Sequence, residues 1–385
     1  MKKLAIITTH PIQYYAPVFK LLHQREQVRV RIFYTWGEHA AIKYDPGFNK
    51  IIDWDLPLLE GYPYEWLKNS SKDPGTHHFM GIVNPELISR VNSWEPDYIL
   101  VYGWGFYSHL KIIRHFKNKI PVLFRGDSTL LDEKRGVKSL LRYAVLKWVY
   151  SHVDCAFFVG ANNKAYFKKY GLKEDQLIFA PHAIDNDRFT ENKECDAHLI
   201  RNKLGIGNAE LVVLFAGKME EKKAPLQLMD AFFSLNRPGV HLLFVGSGPL
   251  EQQLKLKGKD NSHIHFLDFQ NQSQMPAVYQ ACDLFCLPSI GPGETWGLAI
   301  NEAMASGRPV LTADKAGGAV DLVKPGYNGA VFKARSLTDL IFNLNKLIAG
   351  GKNELVSMGE HSKELIKHWS FENQVSAIES IVKYE

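Results

Sequence analysis

Two carboxylates, Glu294 and Glu302, stand eight positions apart in a segment that is typical of a loop followed by a helix. Residues 291–293 are Gly-Pro-Gly and interrupt any preceding element, whereas 299–305 is rich in helix formers. Eight helical residues span about 12 Å, which suits a ligand with two diols joined by a diphosphate. The helix N-terminus would attract the anion between them. This segment therefore predicts a nucleotide-sugar site.

A cationic loop follows directly on a predicted strand, Leu211–Ala216. Gly217 and Lys218 come first, and Lys223 follows five positions later. A cation just past the carboxyl end of a parallel strand is well placed to neutralise a diphosphate. Lys222 is an alternative to Lys223 in this role, and an ordinary charged loop is the alternative for the whole segment.

Length and composition indicate two globular domains. The chain has 385 residues, of which 45% are hydrophobic and 23% charged. No apolar run reaches the length of a membrane span, and the N-terminal run is too short for a signal peptide, so it is interpreted as a first strand. Cys282 and Cys286 lie in a strand-like run and are predicted to be core thiols, which favours a reducing, cytoplasmic compartment.

Short apolar runs alternate with helical patterns such as Pro225–Leu235, as is typical of parallel α/β sheets. A polar segment, Asp185–Glu194, is predicted to link the domains. The expected domains are residues 1–188 and 189–369, with a C-terminal helix, 370–385, that returns to the first. The predicted strands are Leu4–Thr8, Tyr98–Tyr102, Pro121–Phe124, Cys155–Val159, Leu177–Ala180, Leu211–Ala216, Leu242–Val245, Ile264–Leu267, Leu284–Leu287 and Val310–Thr312.

The string GETWGLAINEAMASGRPV, residues 293–310, resembles the Glu-x7-Glu signature of the retaining glycosyltransferases of family 4, the group 1 type. Residues 217–223 are similar to that family's Gly-Arg-Leu-x-x-x-Lys segment, with Lys218 at the Arg position, where the bidentate fork of Arg is lost. The resemblance covers almost the whole chain, more loosely in the first domain. It implies an α/β chain of GT-B fold, with two Rossmann-like domains facing a central cleft.

The resemblance also implies roles for single residues. Glu294 would contact the donor hexose, Glu302 the ribose hydroxyls, and Lys218 and Lys223 the diphosphate. The predicted catalytic residues are Glu294, Lys223, Lys218 and Asp127. The predicted donor-binding residues are Glu302, Gly217, Thr295, Trp296, Gly297, Leu298 and Phe269, the last beside the strand end that backs the nucleobase in the family.

Acceptor binding is assigned to the first domain, through His10, Gln13 and Arg125. His10 and Gln13 follow the first strand, where the family places a loop facing the cleft, and a helix cap is the alternative for His10. Asp127 stands at or next to a position where many relatives have a histidine. It is predicted to orient the acceptor hydroxyl or accept its proton, with a helix N-cap as the alternative. Aromatic residues of loop 40–67, among them Phe48 and Trp54, are candidates for stacking on sugar rings or for core packing.

The resemblance implies transfer of a sugar from a nucleoside diphosphate, as UDP-sugar or GDP-sugar, with retention at the anomeric carbon. The acceptor is predicted to be a saccharide or lipid-linked saccharide, in surface-polysaccharide or glycoconjugate assembly. No cofactor, essential metal or nucleic-acid partner is expected, because two Asp-x-Asp strings, at 53–55 and 185–187, lack the setting of a metal site. A nucleotide-sugar epimerase or hydrolase on the same scaffold is the main alternative, and a non-enzymatic sugar-binding protein the second.

Positive charge is concentrated between Lys111 and Lys147. Ten Lys and Arg against three Asp and Glu give a local excess of +7, larger than the +5 of the whole chain. A solvated helix face is one interpretation. The other is peripheral contact with anionic lipid at the inner face of a membrane, since apolar residues such as Leu141 and Trp148 alternate with these cations.

Overall fold

The structure is a computed structural model that describes residues 1–38, 43–45, 47, 50–133 and 136–383, with the backbone alone for 43–45 and 50. The predicted contact of Phe48 and the cations Lys134 and Arg135 lie outside the described residues. The chain forms two compact units. The first comprises Met1–Lys43, Leu56–His182 and Phe371–Glu385, and the second comprises Tyr44–Asp55 and Ala183–Ser370.

Strands and helices alternate along most of the described chain. The strands are β1 Lys3–Thr8, β2 Arg29–Tyr34, β3 Lys43–Asp45, β4 Lys50–Ile52, β5 Tyr64–Trp66, β6 Tyr98–Tyr102, β7 Val122–Arg125, β8 Cys155–Phe158, β9 Leu177–Phe179, β10 Leu211–Ala216, β11 Val240–Val245, β12 Ile264–Leu267, β13 Leu284–Leu287, β14 Val310–Ala313 and β15 Gly329–Phe332. The helices are α1 Ala16–Gln24, α2 Leu87–Trp94, α3 Tyr107–Phe116, α4 Val137–Tyr150, α5 Ala161–Lys169, α6 Asn186–Thr190, α7 Glu194–Lys203, α8 Pro225–Leu235, α9 Glu251–Gly258, α10 Met275–Gln280, α11 Leu298–Ala305, α12 Ala319–Leu322, α13 Leu337–Ala349, α14 Gly351–Ile366 and α15 Phe371–Val382.

The first unit is built on a parallel sheet in the order β5-β2-β1-β6-β7-β8-β9. Its central strand β1 is a continuous apolar run because both faces of a parallel sheet are covered by helices, and Leu4 to Ile7 are completely buried. One face packs against α1 and α15, which contributes Val375, Ile378 and Val382 to the core. The other face packs against α2, α3 and α5.

The second unit has a parallel sheet in the order β12-β11-β10-β13-β14-β15. Numbered within the unit, this is the 3-2-1-4-5-6 order of a doubly wound dinucleotide-binding fold. The strand order reverses between β10 and β13, where Val213 pairs with Leu284 and Leu214 with Phe285. Ligands of such sheets bind outside the carboxyl ends of the strands at this reversal.

The α/β, two-domain fold class predicted from the sequence is confirmed, while the borders of the units fall elsewhere. The chain passes from the first unit to the second after His182, whereas the predicted border was 188, because α6 packs on α10 and α11 of the second unit. Phe189 of α6 is fully buried with its ring against Tyr279. The segment Tyr44–Asp55 also belongs to the second unit, where Asn271 donates a hydrogen bond to the carbonyl of Asp53.

Two groups of side chains that the sequence singled out are part of the core. Tyr62 and Trp66 of the aromatic loop pack in the first unit, so core packing is the interpretation that applies to them. Cys282 and Cys286 are buried thiols, and burial raises the pKa of Cys282 to about 12. Within the described residues, no helix has both the length and the apolar character that crossing a bilayer requires.

Candidate active site

The reversal point of the second sheet brings two loops side by side. One loop follows β10 at Gly217 and the other follows β13 at Pro288, and their parent strands are hydrogen-bonded neighbours. A backbone hydrogen bond of 2.8 Å from Ile290 N–H to the Lys222 carbonyl joins the loops directly. Residues that are about 70 positions apart in the sequence therefore share one edge of the sheet.

Lys223 and Glu294 form an ion pair between these two loops. The side chains are 19% and 9% exposed, so both charges are largely removed from water. Ser289 is completely buried and donates a hydrogen bond of 2.8 Å to Oε2 of Glu294, the oxygen that also contacts the Lys223 ammonium. An ammonium has three donors, so Lys223 can hold Glu294 and still donate to an anionic oxygen of a ligand.

The structure settles which lysine of the 222–223 pair faces the carboxylate. Lys222 forms an ion pair of 3.3 Å with Glu220 on its own loop, whereas Lys223 reaches Glu294. Lys218 is partly buried, and its side chain lies against the backbone of Gly47, where a Cβ atom would stand 2.7 Å from the Lys218 ammonium. Lys218 and Lys223 thus occupy the same post-strand loop with different neighbours.

Close backbone approaches fix the turns at this edge. Gly246, with φ of 127°, follows β11, and a Cβ atom there would lie 2.2 Å from the Gly217 carbonyl. A Cβ at Gly317 would lie 1.7 Å from the Thr295 carbonyl. Gly317 N–H also donates to the Glu294 carbonyl at 2.9 Å. The loop that carries Glu294 is therefore positioned by backbone packing that only glycine permits.

Helix α11 begins directly after this loop and carries Glu302. Gly297, in the left-handed region with φ of 92°, precedes its first residue, and Glu302 is 5% exposed inside the helix. The Tyr279 hydroxyl donates to Oε2 of Glu302 at 2.8 Å, which orients the carboxylate. Trp296 is buried, and its Nε1–H donates to Asn301 Oδ1 at 2.8 Å. The structure thus places Glu294 on the loop and Glu302 in the helix, and it buries Trp296 in the loop between them, while the donor contact of Trp296 stays a prediction.

The remaining predicted donor residues surround this edge. Thr295 and Leu298 are partly buried between Glu294 and the first turn of α11. Phe269 follows β12, and its ring lies 6.3 Å from the ring of Trp54. The two aromatic rings form a partly buried pair on the second unit, at the end of the strand where the resemblance implies a nucleobase.

In the first unit, the predicted acceptor residues also follow strand ends. His10 and Gln13 are partly buried in the turn between β1 and α1. The His10 ring contacts Thr9 Oγ1 at 2.9 Å and lies edge-on to Trp36 at 5.1 Å. The N-cap of α1 is Tyr15, so the helix-cap alternative for His10 does not apply.

Arg125 is the last residue of β7 and Asp127 follows the strand, and the two side chains have different surroundings. Arg125 is 3% exposed, and its guanidinium donates to the carbonyls of Ala180 and Pro181 at 2.9 and 3.0 Å. These bonds tie Arg125 to the backbone that follows β9. The contact of Arg125 with an acceptor stays a prediction. Asp127 is partly buried on a loop, and since α4 begins only at Val137, the helix-cap alternative for Asp127 does not apply.

His182 is a buried residue beside this pair that the sequence did not single out. It is 5% exposed, and its ring is stacked with that of Tyr15 at 6.1 Å. Burial, reinforced by the Arg125 guanidinium and opposed by the Asp127 carboxylate, lowers the pKa of His182 to about 4. Burial and the Asp127 charge raise the pKa of Tyr15 well above its ordinary value. His182 is therefore a neutral imidazole at pH 7, next to a carboxylate at the carboxyl edge of the first sheet.

The two Asp-x-Asp strings have local structural roles. Asp185 caps α6 by accepting from Arg188 N–H at 3.1 Å. Asp55 accepts from Ser273 N–H at 3.2 Å. One carboxylate of each string thus has a hydrogen-bond partner within the protein, while the predicted absence of an essential metal remains to be tested.

Comparison with known proteins identifies the class of the second unit. The family model described as glycosyl transferases group 1 matches residues 196–365. This range contains the Lys223–Glu294 pair and Glu302. The resemblance to group 1 glycosyltransferases is therefore confirmed for residues 196–365, which lie within the second unit.

Curated relatives match between about a third and a half of the chain. The D-inositol 3-phosphate glycosyltransferase of Nocardia farcinica is 32% identical over 203 residues, which are 49% of this chain and 43% of that protein. The phosphatidyl-myo-inositol mannosyltransferase of Mycobacterium tuberculosis is 30% identical over 137 residues, 35% of this chain and 34% of its own. The chain thus spans less than half the length of these relatives.

Solved structures match over the full length and show the fold. Anabaena HepE in complex with UDP and glucose has a TM-score of 0.73 at 19% identity, covering 100% of both chains. The sucrose-phosphate synthase of Thermosynechococcus elongatus has a TM-score of 0.72 at 17% identity, covering 99% of this chain and 98% of its own. With these neighbours, the GT-B fold predicted from the sequence is confirmed.

Proposed function

We propose that the protein is a retaining glycosyltransferase that moves a sugar from a nucleoside-diphosphate sugar to a saccharide or glycolipid acceptor. The observation that carries the proposal is the Lys223–Glu294 pair at the strand-order reversal of a group 1 domain. A cation at this place suits a diphosphate, and a carboxylate beside it suits sugar hydroxyls. The UDP and UDP-glucose complexes of HepE support the choice of donor.

The chemistry requires little of the protein besides position and charge. In a retaining transfer, the bond from the anomeric carbon to the diphosphate oxygen breaks, and a bond to the acceptor oxygen forms on the same face. Negative charge grows on the diphosphate as it departs, so Lys223 and Lys218 stabilise the transition state more than the bound donor. Glu294 orients the hexose, and its own orientation is fixed by Ser289.

Glu302 is proposed to hold the ribose of the donor. Its carboxylate is nearly buried and oriented by the Tyr279 hydroxyl. A carboxylate oxygen that accepts from a ribose hydroxyl is a charge-assisted hydrogen bond, stronger than a neutral one. Glu302 would therefore contribute to nucleotide affinity, whereas Glu294 and Lys223 contribute to turnover.

Acceptor-dependent release of nucleoside diphosphate tests the proposal. UDP-sugars and GDP-sugars are screened against soluble and lipid-linked saccharides, and release of UDP or GDP is followed with and without each acceptor. The Lys223→Ala variant is the control for contaminating activity. We expect release that needs both a donor and an acceptor. Equal release without any acceptor would indicate a hydrolase, and conversion of the donor to another sugar would indicate an epimerase.

We propose in addition that α4 contacts an anionic membrane surface. This helix buries Leu146, Val149 and Tyr150 at its C-terminal end, while Leu140 and Leu141 are 71% and 70% exposed. Exposed cations share the helix, and the Arg114 guanidinium lies 5.1 Å from the centre of the Trp148 ring. Apolar side chains among cations suit the boundary between anionic head groups and acyl chains.

Sedimentation with liposomes tests this surface. The protein should bind vesicles with anionic lipid at low salt and lose much of that binding at high salt, because each cation near such a surface contributes about 1 kcal/mol that salt screens. Leu141→Asp should weaken binding, whereas Leu256→Asp, at a 69% exposed leucine of the second unit, is the matched control. Equal binding to neutral vesicles would exclude the anionic surface, and dimerisation abolished by Leu141→Asp would assign the helix to a protein interface.

A further inference from the structure

Three side chains with metal-binding atoms converge on the loop between β5 and α2. Asp73 Oδ2 lies 3.1 Å from His77 Nε2 and 3.3 Å from His78 Nε2. One ligand atom from each residue lies within 4.8 Å of the others. His78 Nε2 is also 2.9 Å from the Asp73 carbonyl oxygen. The two imidazoles thus approach the same carboxylate, with their Nε2 atoms directed toward it.

The loop backbone holds these residues in place. Gly75 N–H donates to the Gly81 carbonyl and Gly81 N–H to the His78 carbonyl, each at 3.1 Å. Asn69 Nδ2 donates to the same Gly81 carbonyl at 2.9 Å. A Cβ atom at Gly75 would lie 2.5 Å from Nδ1 of His77, so the His77 ring contacts the loop at this glycine. The two histidines therefore lie on a loop whose backbone is held together by hydrogen bonds.

The spacing of the ligand atoms suits a tetrahedral ion. Zn²⁺ binds imidazole nitrogen and carboxylate oxygen at about 2.0–2.1 Å, and the edge of such a tetrahedron is about 3.3 Å. Both nitrogen-to-oxygen distances here, 3.1 and 3.3 Å, are close to that edge. The ordinary alternative is a pair of imidazole hydrogen bonds to Asp73 and its carbonyl, in which each Nε2 carries a proton. An ion would take the place of those protons, with the ring proton moved to Nδ1.

We propose that Asp73, His77 and His78 form a binding site for a divalent transition metal of the Zn²⁺ class. Two imidazoles and one carboxylate favour such an ion over Mg²⁺ or Ca²⁺, which prefer oxygen ligands. Three protein ligands leave a coordination position for water, as in zinc sites that exchange ligands. The Phe79 ring lies 6.3 Å from that of Tyr107, the first residue of α3, so the site stands next to the start of that helix.

Zinc binding by the full chain, prepared without a polyhistidine tag and without donor or acceptor, tests the proposal. Isothermal titration calorimetry with ZnCl₂ after EDTA treatment and dialysis should give one saturable site per chain. Asp73→Asn, His77→Ala and His78→Ala should each weaken that binding at least tenfold, the lower end of the loss caused by removing outer partners of a metal ligand. His23→Ala, which removes an exposed histidine of α1, is the matched control and should leave binding unchanged.

The three residues are on an exposed loop, so in EDTA the variants should unfold at the same temperature as the wild-type chain. This measurement distinguishes the loss of a metal ligand from a loss of folding. A second histidine group provides the decisive comparison, because His241 Nδ1 lies 2.9 Å from His265 Nε2 in the second unit. Zinc binding that survives all three loop variants and disappears in His241→Gln would overturn the assignment, as would the absence of a saturable site in the wild-type chain. Because no sugar is present in this titration, its outcome is independent of the proposed transferase activity.

Discussion

Of the two carboxylates of the second unit, Glu302 should contribute to the affinity for free nucleotide and Glu294 should not. Glu302 is 5% exposed and is oriented by the Tyr279 hydroxyl at 2.8 Å, so its carboxylate is ready to accept a ribose hydroxyl. A hydrogen bond to a charged group contributes roughly 1.5–3 kcal/mol. At about 1.4 kcal/mol for each factor of ten, Glu302→Ala should weaken UDP or GDP binding roughly 10- to 150-fold. Glu294→Ala should leave the affinity for free nucleoside diphosphate near wild type, because the hexose contact is absent from that ligand.

Calorimetric titration of UDP and GDP into each variant measures this difference. Glu302→Gln is the isosteric control, since it keeps the size of the side chain and removes its charge. Tyr279→Phe removes only the hydroxyl that orients Glu302, so we expect a smaller loss, of about tenfold or less. Thermal unfolding of each variant without nucleotide shows whether the fold is kept. Equal losses of affinity in Glu294→Ala and Glu302→Ala would refute the division of roles.

Three further predictions concern charge. Lys223→Ala should lower kcat by on the order of 10²-fold with a smaller effect on the affinity for the nucleotide sugar, because it removes one hydrogen-bond donor to the developing anion. Lys222→Ala is the matched control, and an equal loss of kcat in that variant would contradict the assignment of Lys223. Burial lowers the pKa of His109 from 6.5 to about 4, so the unfolded chain binds this proton at a higher pH than the folded chain does. The free energy of unfolding should therefore fall as pH drops from 6.5 toward 4, by up to about 1.4 kcal/mol per pH unit. Urea unfolding of His109→Gln should show a shallower dependence of this free energy on pH, and an unchanged slope would exclude His109 as its origin. Turnover should persist in excess EDTA, and its complete loss, reversed by added metal, would show that the transfer needs an ion.

The strands that the sequence predicts well are those buried on both faces of a sheet, because such strands consist of continuous apolar runs. Tyr98–Tyr102 and Leu211–Ala216 are continuous apolar runs, and the structure gives both strands with the predicted bounds. Arg29–Tyr34 was missed because its charged residues alternate with apolar ones, so it lacks the run of a fully buried strand. The short edge strand Tyr64–Trp66 has too few residues to show a period.

The candidate site was predictable where its residues belong to loops that follow buried strands. Glu294 and Lys223 each follow a strand, and the reversal of strand order brings those strands together. Ser289 and Tyr279 were missed because a hydroxyl that orients a carboxylate has no sequence pattern of its own. His182 was also missed, since its position beside Asp127 depends on how the segment after β9 meets β7. Its only signal was its place in the turn that precedes Asp185.

A proton NMR time course of one reaction tests the central claim most directly. The protein is mixed with a nucleotide sugar and an acceptor selected by the release screen, and the anomeric signals of donor, product and free sugar are followed together. We predict a new glycosidic anomeric signal with the configuration of the donor, which grows at the rate at which nucleoside diphosphate appears and grows on the order of 10²-fold more slowly with Lys223→Ala. A product of inverted configuration would contradict retention, and free sugar as the sole product would contradict glycosyl transfer.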